Sequence, residues 1–231
     1  APVLKVEPSI VRAQMVNKTF AVNVTINNLW LGWNVVGVQF RLSYNSTLLE
    51  VVNVTEGPFM KQFGETWFFV FIEEPWGGWP EHVLVGIVLK PNSTGQWTTF
   101  PSGSGTLATI TFKVIYQEKA LDPDLTPPLT CDLTLFDKRD LFLVDNEAQR
   151  IPCELESGVY EIYATNLRDF DGDNYVGVDD IVYVAEHFGA DPVIWPERWD
   201  PKCDVTNDGY VGVDDVVEVA SGFGWEPKYD P

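Results

Sequence analysis

The chain has 231 residues, a formal net charge of −19 and a hydrophobic content of 45%. A charge of this size repels nucleic acid and anionic membrane surfaces, so neither is an expected partner. The sequence has no apolar run long enough for a membrane-spanning helix, and its apolar residues suffice for the cores of one large and one small domain. The C-terminal part is the most acidic, with 16 acids and 4 bases over residues 167–231.

The first two thirds of the sequence predict β structure almost throughout. Residues 20–26 alternate apolar and polar side chains, as a half-buried strand does, and turn-forming clusters separate the segments that follow. About nine strands are predicted in this region, at residues 20–26, 35–44, 47–54, 66–72, 82–89, 105–116, 131–137, 140–145 and 158–164. Many short strands separated by turns favour an antiparallel β-sandwich of the jelly-roll type.

Asparagines followed two positions later by threonine are frequent in this region. Among nine asparagines before residue 160, five have this pattern of N-glycosylation acceptors: Asn17, Asn23, Asn45, Asn53 and Asn92. A first residue of Ala1 also suits a chain from which a leader has been removed. We therefore expect an extracellular or cell-surface glycoprotein.

Three cysteines are present. Cys131 and Cys153 lie in neighbouring strand-like segments, and we expect them to form a disulfide in an oxidising compartment. Cys203 would then be free or paired with another chain.

After residue 164 the hydrophobic period changes from two to about 3.6 residues. Two equivalent apolar stripes occur 35 residues apart, one at Ile181, Val184, Ala185 and Phe188, the other at Val216, Val219, Ala220 and Phe223. Each stripe predicts a helix of about ten residues, which Gly189 or Gly224 ends. The expected organisation is a β-sandwich over residues 1–164 and a small α module over residues 165–231, joined by the short segment 164–169.

An acidic twelve-residue loop precedes each predicted helix. Positions 1, 3, 5, 7 and 12 are Asp169, Asp171, Asp173, Tyr175 and Asp180 in the first loop, and Asp204, Thr206, Asp208, Tyr210 and Asp215 in the second. This is the spacing of EF-hand calcium loops, in which side chains supply oxygens and position 7 supplies a backbone carbonyl. Position 6, where the backbone turns sharply, is Asn174 or Gly209. The sequence therefore predicts two Ca²⁺ sites.

The two loops differ from a typical EF-hand and from each other. Position 12 is Asp in both, so the closing carboxylate must come from a nearer helix. Thr206 offers a neutral hydroxyl where Asp171 offers a charged oxygen, so the second site is expected to be weaker. The alternative interpretation is an acidic helix start without metal, because Asp is favoured there.

These repeats, with the run RWDPKCD before the second loop, resemble a dockerin, a small module of two calcium loop–helix repeats known from cellulosomes and archaeal proteins. Residues 37–54 and 103–114 (GVQFRLSYNSTLLEVVNV and GSGTLATITFKV) resemble strands of a cohesin, the β-sandwich that dockerins bind. In dockerins, loop positions 10 and 11 commonly contact the partner, which implies such a role for Val178, Asp179, Val213 and Asp214. The pair Val178–Asp179 is identical to the pair Val213–Asp214. This implies two equivalent binding orientations, or a duplication without consequence.

The connecting segment reaches about 20 Å, against a radius of gyration of roughly 15 Å for the sandwich. We therefore expect the module to bind another molecule, either a cohesin-like domain of an identical chain or a separate scaffold protein. A head-to-tail contact between identical chains builds an open filament unless it closes into a ring. The sequence predicts a secreted, calcium-dependent structural or adhesion protein that assembles into an extracellular filament or surface layer.

A second class of function is a carbohydrate-binding module carried on a scaffold by the dockerin. Six tryptophans could stack on sugar or be buried: Trp30, Trp33, Trp67, Trp76, Trp79 and Trp97. An enzyme is not expected. His82 and His187 are the only histidines, Glu73 and Glu74 are adjacent, and no nucleophile elbow or phosphate loop is present.

Overall fold

A computed structural model describes residues 1–12, 15–73, 80–136 and 142–227. The chain divides into two compact units, the first made of Ala1–Tyr116 and Leu129–Ile162, the second of Gln117–Pro128 and Tyr163–Pro231. This division differs from the expected single boundary near residue 164, because residues 117–128 belong to the second unit. The chain passes between the units three times rather than through one short linker.

The first unit is a β-sandwich. Its described strands are β1 (Val3–Glu7), β2 (Ile10–Arg12), β3 (Thr19–Leu29), β4 (Val35–Ser43), β5 (Leu49–Glu56), β6 (Thr66–Glu73), β7 (His82–Leu89), β8 (Gly103–Val114), β10 (Leu129–Phe136), β11 (Leu143–Asp145), β12 (Arg150–Ile151), β13 (Glu154–Glu156) and β14 (Gly158–Ile162). A short helix, α1 (Pro58–Lys61), follows β5. The strands β9 (Lys119–Ala120) and β15 (Thr165–Asn166) pair with each other in the second unit.

Two sheets face each other in this sandwich. The smaller has the order β13-β1-β3-β8-β5, and the larger runs β12-β11-β4-β10-β14-β2, with β7 paired to β4 and β6 paired to β7. Most pairs are antiparallel, as the sequence predicts, but β1 with β13 and β2 with β14 are parallel. The predicted strands correspond to β3–β8, β10, β11 and β14. The prediction missed β1, β2, β12 and β13, of which β2, β12 and β13 have at most three residues, too few to show an alternating pattern.

Inward-facing aromatic residues join the two sheets. Phe20 of β3 lies opposite Phe112 of β8 in the smaller sheet, and its ring stacks on Tyr160 of β14 with centroids 4.2 Å apart. All three rings lie in one continuous core cluster. Burial of apolar side chains, these rings among them, is the main source of stability for such a sandwich.

The second unit contains two helices of nine residues, α2 (Val178–Glu186) and α3 (Val213–Ser221). Val184 and Val219 are fully buried in its own small core, as the predicted stripes require. Four stripe residues are instead exposed: Ala185, Phe188, Ala220 and Phe223. Phe188 and Phe223 lie beyond the helix ends, where the chain turns through a left-handed glycine at residue 189 or 224, so helical periodicity no longer applies to them.

Backbone hydrogen bonds join each repeat to the other in matching pairs. Val176 N–H donates to Trp225 O and Gly224 N–H to Val176 O. The equivalent bonds 35 residues apart join Val211 with Ala190 and Gly189. Each acidic loop is thus fixed to the end of the helix that belongs to the other repeat.

The segment 117–128 is part of this unit through several contacts. Beside the β9–β15 pair, the buried Arg168 donates hydrogen bonds to the Leu121 carbonyl and to the Glu218 carbonyl and carboxylate. In the part of the chain that the structure describes, no helix combines the length and apolar character needed to cross a membrane.

Candidate metal loops and binding surfaces

The first acidic loop brings three carboxylates together. Oxygens of Asp169, Asp171 and Asp173 lie within 4.8 Å of one another. The Asp169 carboxylate accepts hydrogen bonds from Gly172 N at 2.8 Å and Asn174 N at 3.1 Å. These bonds orient the Asp169 side chain within the loop.

Asp180 closes this loop from the first turn of α2. Its side chain is 1% exposed and accepts hydrogen bonds from Phe170 N at 2.6 Å and Gly177 N at 2.7 Å. The bond to Gly177 is a capping-box contact that fixes the helix start. A single buried carboxylate therefore joins both ends of the loop.

The second loop repeats this geometry. Asp204 accepts hydrogen bonds from Asp208 N and Gly209 N, at 2.9 and 2.8 Å. Asp215, fully buried, accepts from Gly212 N at 2.7 Å and from Thr206 N at 3.0 Å. The Thr206 hydroxyl also donates to Asp215. The prediction that this site is the weaker one stays a prediction.

The predicted sharp turn at position 6 is confirmed in both loops. Asn174 has φ 76° and Gly209 has φ 89°. This left-handed conformation is open to glycine and is adopted by asparagine more readily than by most residues.

Two carboxylates of the first loop, those of Asp169 and Asp180, are buried. Burial raises the pKa of Asp169 above its ordinary value; the charge of Asp180 adds to this, and the N–H of Gly172 opposes it. Lys119 Nζ lies 3.2 Å from the Asp169 backbone carbonyl, to which it donates. Buried carboxylates need a cationic partner, and converging oxygens suit a hard divalent cation such as Ca²⁺. The donor set therefore fits calcium.

The residues that correspond to dockerin contact positions lie on the surface. Val178 and Val213 begin the two helices and are 61% and 67% exposed, and Asp179 and Asp214 beside them are exposed too. One turn later, Val182 and Val217 add further exposed apolar surface. The module thus presents the same apolar helix face twice.

The sandwich has an apolar surface that the sequence analysis did not identify. Trp67, Phe69 and Phe71 of β6 are each about half exposed. Phe69 and Phe71 border a cavity of about 560 Å³, which β4, β7 and β11 also line. We term this surface the aromatic face, and its other lining residues include Gly37, Gln39, Leu84, Gly86, Val88 and Val144. The segment TWFFVFI is apolar at successive positions, which gives β6 two apolar sides but does not tell which of them is exposed.

Strand register explains the shape of the aromatic face. Phe69 lies opposite Gly86, which lies opposite Gln39, while Phe71 lies opposite Leu84. Residues directly opposite share one face of a sheet. Since Gly86 has no side chain, the surface of β7 at this position lies lower than the neighbouring aromatic rings of β6, which leaves a groove beside them. Such a groove suits an inserted apolar helix face.

The five predicted glycosylation sites differ in exposure. Asn17, Asn45, Asn53 and Asn92 are exposed, while Asn23 is half-buried and accepts a hydrogen bond from Thr109 at 2.7 Å. Four positions are thus open to modification in the folded chain, and glycosylation of any of them stays a prediction.

The expected disulfide between Cys131 and Cys153 is not formed, and all three cysteines are free thiols. Cys131 lies in β10, where its Sγ accepts a hydrogen bond from Asn45 N at 3.2 Å. Cys153 precedes β13 of the other sheet, and its Sγ donates to Glu154 O. The two cysteines therefore lie in or beside different sheets, although their segments are neighbours in the sequence. Burial raises the pKa of Cys153 to about 11 and that of Cys203 to about 12.

The tryptophans proposed as a sugar platform are placed differently from one another. Trp30 and Trp33 meet edge to face at 6.4 Å, and Trp97 packs on the core with its Nε1 donating to Leu89 O. Trp67 belongs to the aromatic face. Trp76, Trp79 and Glu74 lie outside the described residues. His82 is buried beside Glu73, with Nε2 3.1 Å from its carboxylate.

Comparison with known proteins addresses the fold of the first unit. Residues 4–66 match the family model for the cohesin domain. A search of curated proteins found no match. The chain is similar to a non-cellulosomal cohesin from the hyperthermophilic archaeon Archaeoglobus fulgidus, with 21% identity over 70% of this chain and 90% of that one, at a TM-score of 0.48.

Two further similar structures are cohesins in complex with dockerins. For the Coh-OlpC–Doc435 complex of Clostridium thermocellum, identity is 14% over 70% of this chain and 94% of that chain, with a TM-score of 0.50. For the sixth cohesin of Acetivibrio cellulolyticus scaffoldin B with a Cel5 dockerin mutant, identity is 13% over 70% of this chain and 98% of that chain, with a TM-score of 0.48. The first unit therefore has the fold of a cohesin domain, which confirms the cohesin-like sandwich. The dockerin-like nature of the second unit stays a prediction.

Proposed function

We propose that this chain is an assembly protein whose C-terminal loop–helix module binds two Ca²⁺ ions and then docks onto the cohesin-like sandwich of another chain. One observation carries the proposal: a cohesin fold and two acidic loops, of which the first has converging carboxylates and each is followed by an exposed apolar helix face, occur in the same chain. We assign no catalytic role to any residue.

In this proposal the ions are held by the predicted ligands of each loop. Asp169, Asp171, Asp173 and Asp180 supply carboxylates to the first site, with the Tyr175 carbonyl at position 7. Asp204, Thr206, Asp208, Asp215 and the Tyr210 carbonyl form the second. Bound calcium neutralises the buried acids and holds two helices that are too short to be stable alone.

Two complementary apolar surfaces support the docking step. The helix faces at Val178 and Val213 are exposed on the module, and the aromatic face is exposed on the sandwich. Apolar patches of this kind mark protein–protein contacts. The similar cohesins of Clostridium thermocellum and Acetivibrio cellulolyticus were solved bound to dockerins, which supports the same class of partner here.

If the partner is an identical chain, the contact is head-to-tail and repeats into a filament or ring. If it is a separate scaffold protein, isolated chains stay monomeric. We favour self-assembly, because both halves of the contact are present in one chain. The four exposed sequons support an extracellular setting.

Calcium-dependent assembly is the direct test. The purified 231-residue chain should form oligomers or filaments in calcium, seen by sedimentation velocity and negative-stain electron microscopy, and should return to monomer with EGTA. Magnesium at the same concentration is the control for ionic strength. Monomer in both calcium and EGTA would contradict self-assembly and leave the scaffold alternative, tested by adding a candidate cohesin.

The twofold repetition of the helix face gives a second prediction. Val178→Asp or Val213→Asp alone should weaken association only a fewfold, because the other helix face can still dock. The double variant should abolish it. Sedimentation velocity in calcium measures both, and unchanged calcium binding by titration calorimetry confirms that the loops are intact. If one single variant lost association as fully as the double variant and the other lost none, only one helix face would dock.

The carbohydrate-binding alternative has weaker support, because Trp30 and Trp33 meet edge to face rather than as one flat platform. A polysaccharide pull-down with the wild-type chain separates it from the assembly proposal.

A further inference from the structure

A second group of metal-ligating side chains lies in the second unit, outside the predicted calcium ligands. His187 follows α2, and Asp200 and Cys203 precede the second acidic loop. A ring nitrogen of His187, a carboxylate oxygen of Asp200 and the Cys203 Sγ all lie within 4.8 Å of one another. The three residues come from two separated segments, so the fold and not local sequence brings them together.

Hydrogen bonds to neighbouring groups orient two of these side chains. His187 Nδ1 lies 2.8 Å from the Tyr183 carbonyl. Because a carbonyl only accepts, Nδ1 carries the proton and the lone pair of the ring is on Nε2. The Tyr183 hydroxyl in turn donates to Asp200 Oδ2 at 2.9 Å, and Lys202 N donates to Asp200 Oδ1 at 3.0 Å. Metal-binding histidines and carboxylates are typically held by such outer contacts.

The third side chain is held by the backbone. Cys203 N–H donates to the Asp200 carbonyl at 2.9 Å, which fixes the thiol relative to the carboxylate. Cys203 is fully buried, whereas His187 and Asp200 are half-buried. One side of the cluster therefore faces the core and the other is open to solvent.

The donor atoms select the class of ion. Ca²⁺ and Mg²⁺ take oxygen ligands, whereas a sulfur, an imidazole nitrogen and a carboxylate oxygen suit Zn²⁺ and related ions. A tetrahedral zinc ion needs its ligand atoms about 3.5 Å apart, so the side chains must approach by little more than about 1 Å. Three protein ligands leave one position for water on the open side.

We propose that His187, Asp200 and Cys203 form a site for a zinc-class divalent cation, separate from the acidic loops. The ion joins the end of α2 to the segment that leads into the second loop, and binding replaces the thiol proton with the metal. The proposal does not depend on the assembly function or on calcium binding.

The test uses the reduced 231-residue chain in excess calcium. Titration with Zn²⁺ by calorimetry should show one ion bound per chain. Co²⁺ as a spectroscopic probe should give the near-ultraviolet absorption band of a cobalt–thiolate bond. His187→Gln and Asp200→Asn should each weaken Zn²⁺ binding at least about tenfold, since even outer-shell changes cost that much. Cys203→Ser should remove the thiolate band.

Cys153→Ser is the control, because Cys153 is a thiol of the first unit. If Cys203→Ser fails to fold, the half-buried His187→Gln still decides the result. No Zn²⁺ binding in excess calcium, a cobalt spectrum without a thiolate band, or affinity unchanged by His187→Gln and Asp200→Asn would each overturn the proposal.

Discussion

Asp180→Asn is expected to weaken calcium binding at the first loop at least about tenfold and to lower the unfolding temperature of the second unit. The Asp180 carboxylate is buried and accepts N–H groups from Phe170 and Gly177 on different oxygens. An asparagine has one oxygen, so its NH₂ group must face one of these donors. A buried hydrogen bond lost in this way costs about 1–3 kcal/mol, and about 1.4 kcal/mol already corresponds to tenfold in affinity.

Asp179→Asn is the matched control for calcium binding. Asp179 is the preceding residue of the same helix turn, but it is exposed and outside the predicted ligand set. Its replacement should leave calcium affinity within about fivefold of wild type, because exposed charges near a helix start contribute less than about 1 kcal/mol. Equal effects of the two variants would mean that charge in the first turn, and not a specific ligand, controls calcium binding.

The effect on stability follows from ligand linkage. Calcium at a thousand times its dissociation constant stabilises the folded unit by about 4 kcal/mol per site. Calorimetry of the wild-type chain should therefore show an unfolding transition of the second unit that EGTA moves to lower temperature. Asp180→Asn in calcium should lower the same transition temperature by a smaller amount than EGTA does. A transition insensitive to both EGTA and Asp180→Asn would contradict calcium binding.

A substitution that disorders the first loop should also weaken calcium binding at the second loop. Val176, at position 8 of the first loop, exchanges backbone hydrogen bonds with Gly224 and Trp225 beyond α3. Loss of order in the first loop frees that end of the second repeat. We therefore expect Asp180→Asn to lower affinity for both ions, with the larger change at its own loop.

The β-sandwich was predictable because alternation and turn residues are local signals. Long strands such as β3 and β8 alternate over many residues and were found at nearly their observed bounds. The pairing partners were not predictable, since β1 pairs with β13 across about 150 residues of sequence, and local patterns carry no information on such contacts. The sequence did not predict that residues 117–128 belong to the second unit, for the same reason.

The loops were the most predictable part of the candidate site. Their ligands lie within twelve consecutive residues, so spacing alone determines that Asp169, Asp171 and Asp173 converge. The aromatic face depends instead on which strands lie beside β6, and the His187–Asp200–Cys203 cluster depends on the path between the two repeats. Neither arrangement is encoded by spacing within one segment.

Phe71→Asp should abolish calcium-dependent association of the chain. Phe71 is 57% exposed at the rim of the aromatic face, and a buried aromatic contact at an interface contributes at least about 2 kcal/mol, or roughly thirtyfold in affinity. The new carboxylate would also face a module with 16 acids and 4 bases over residues 167–231, so repulsion adds to the lost contact. Val52→Asp is the control, since Val52 is a similarly exposed apolar strand residue of the smaller sheet.

A mixture of two defective chains tests the polarity of the contact. Phe71→Asp blocks the sandwich but leaves the module intact, and Val178→Asp with Val213→Asp blocks the module but leaves the sandwich intact. Each chain alone should be monomeric in calcium, while an equal mixture should form dimers and nothing larger, because one contact forms and both outer ends are blocked. Filaments formed by Phe71→Asp alone would place the docking surface elsewhere on the sandwich. A mixture that stays monomeric, with both chains folded and calcium-bound, would mean that these two surfaces do not meet.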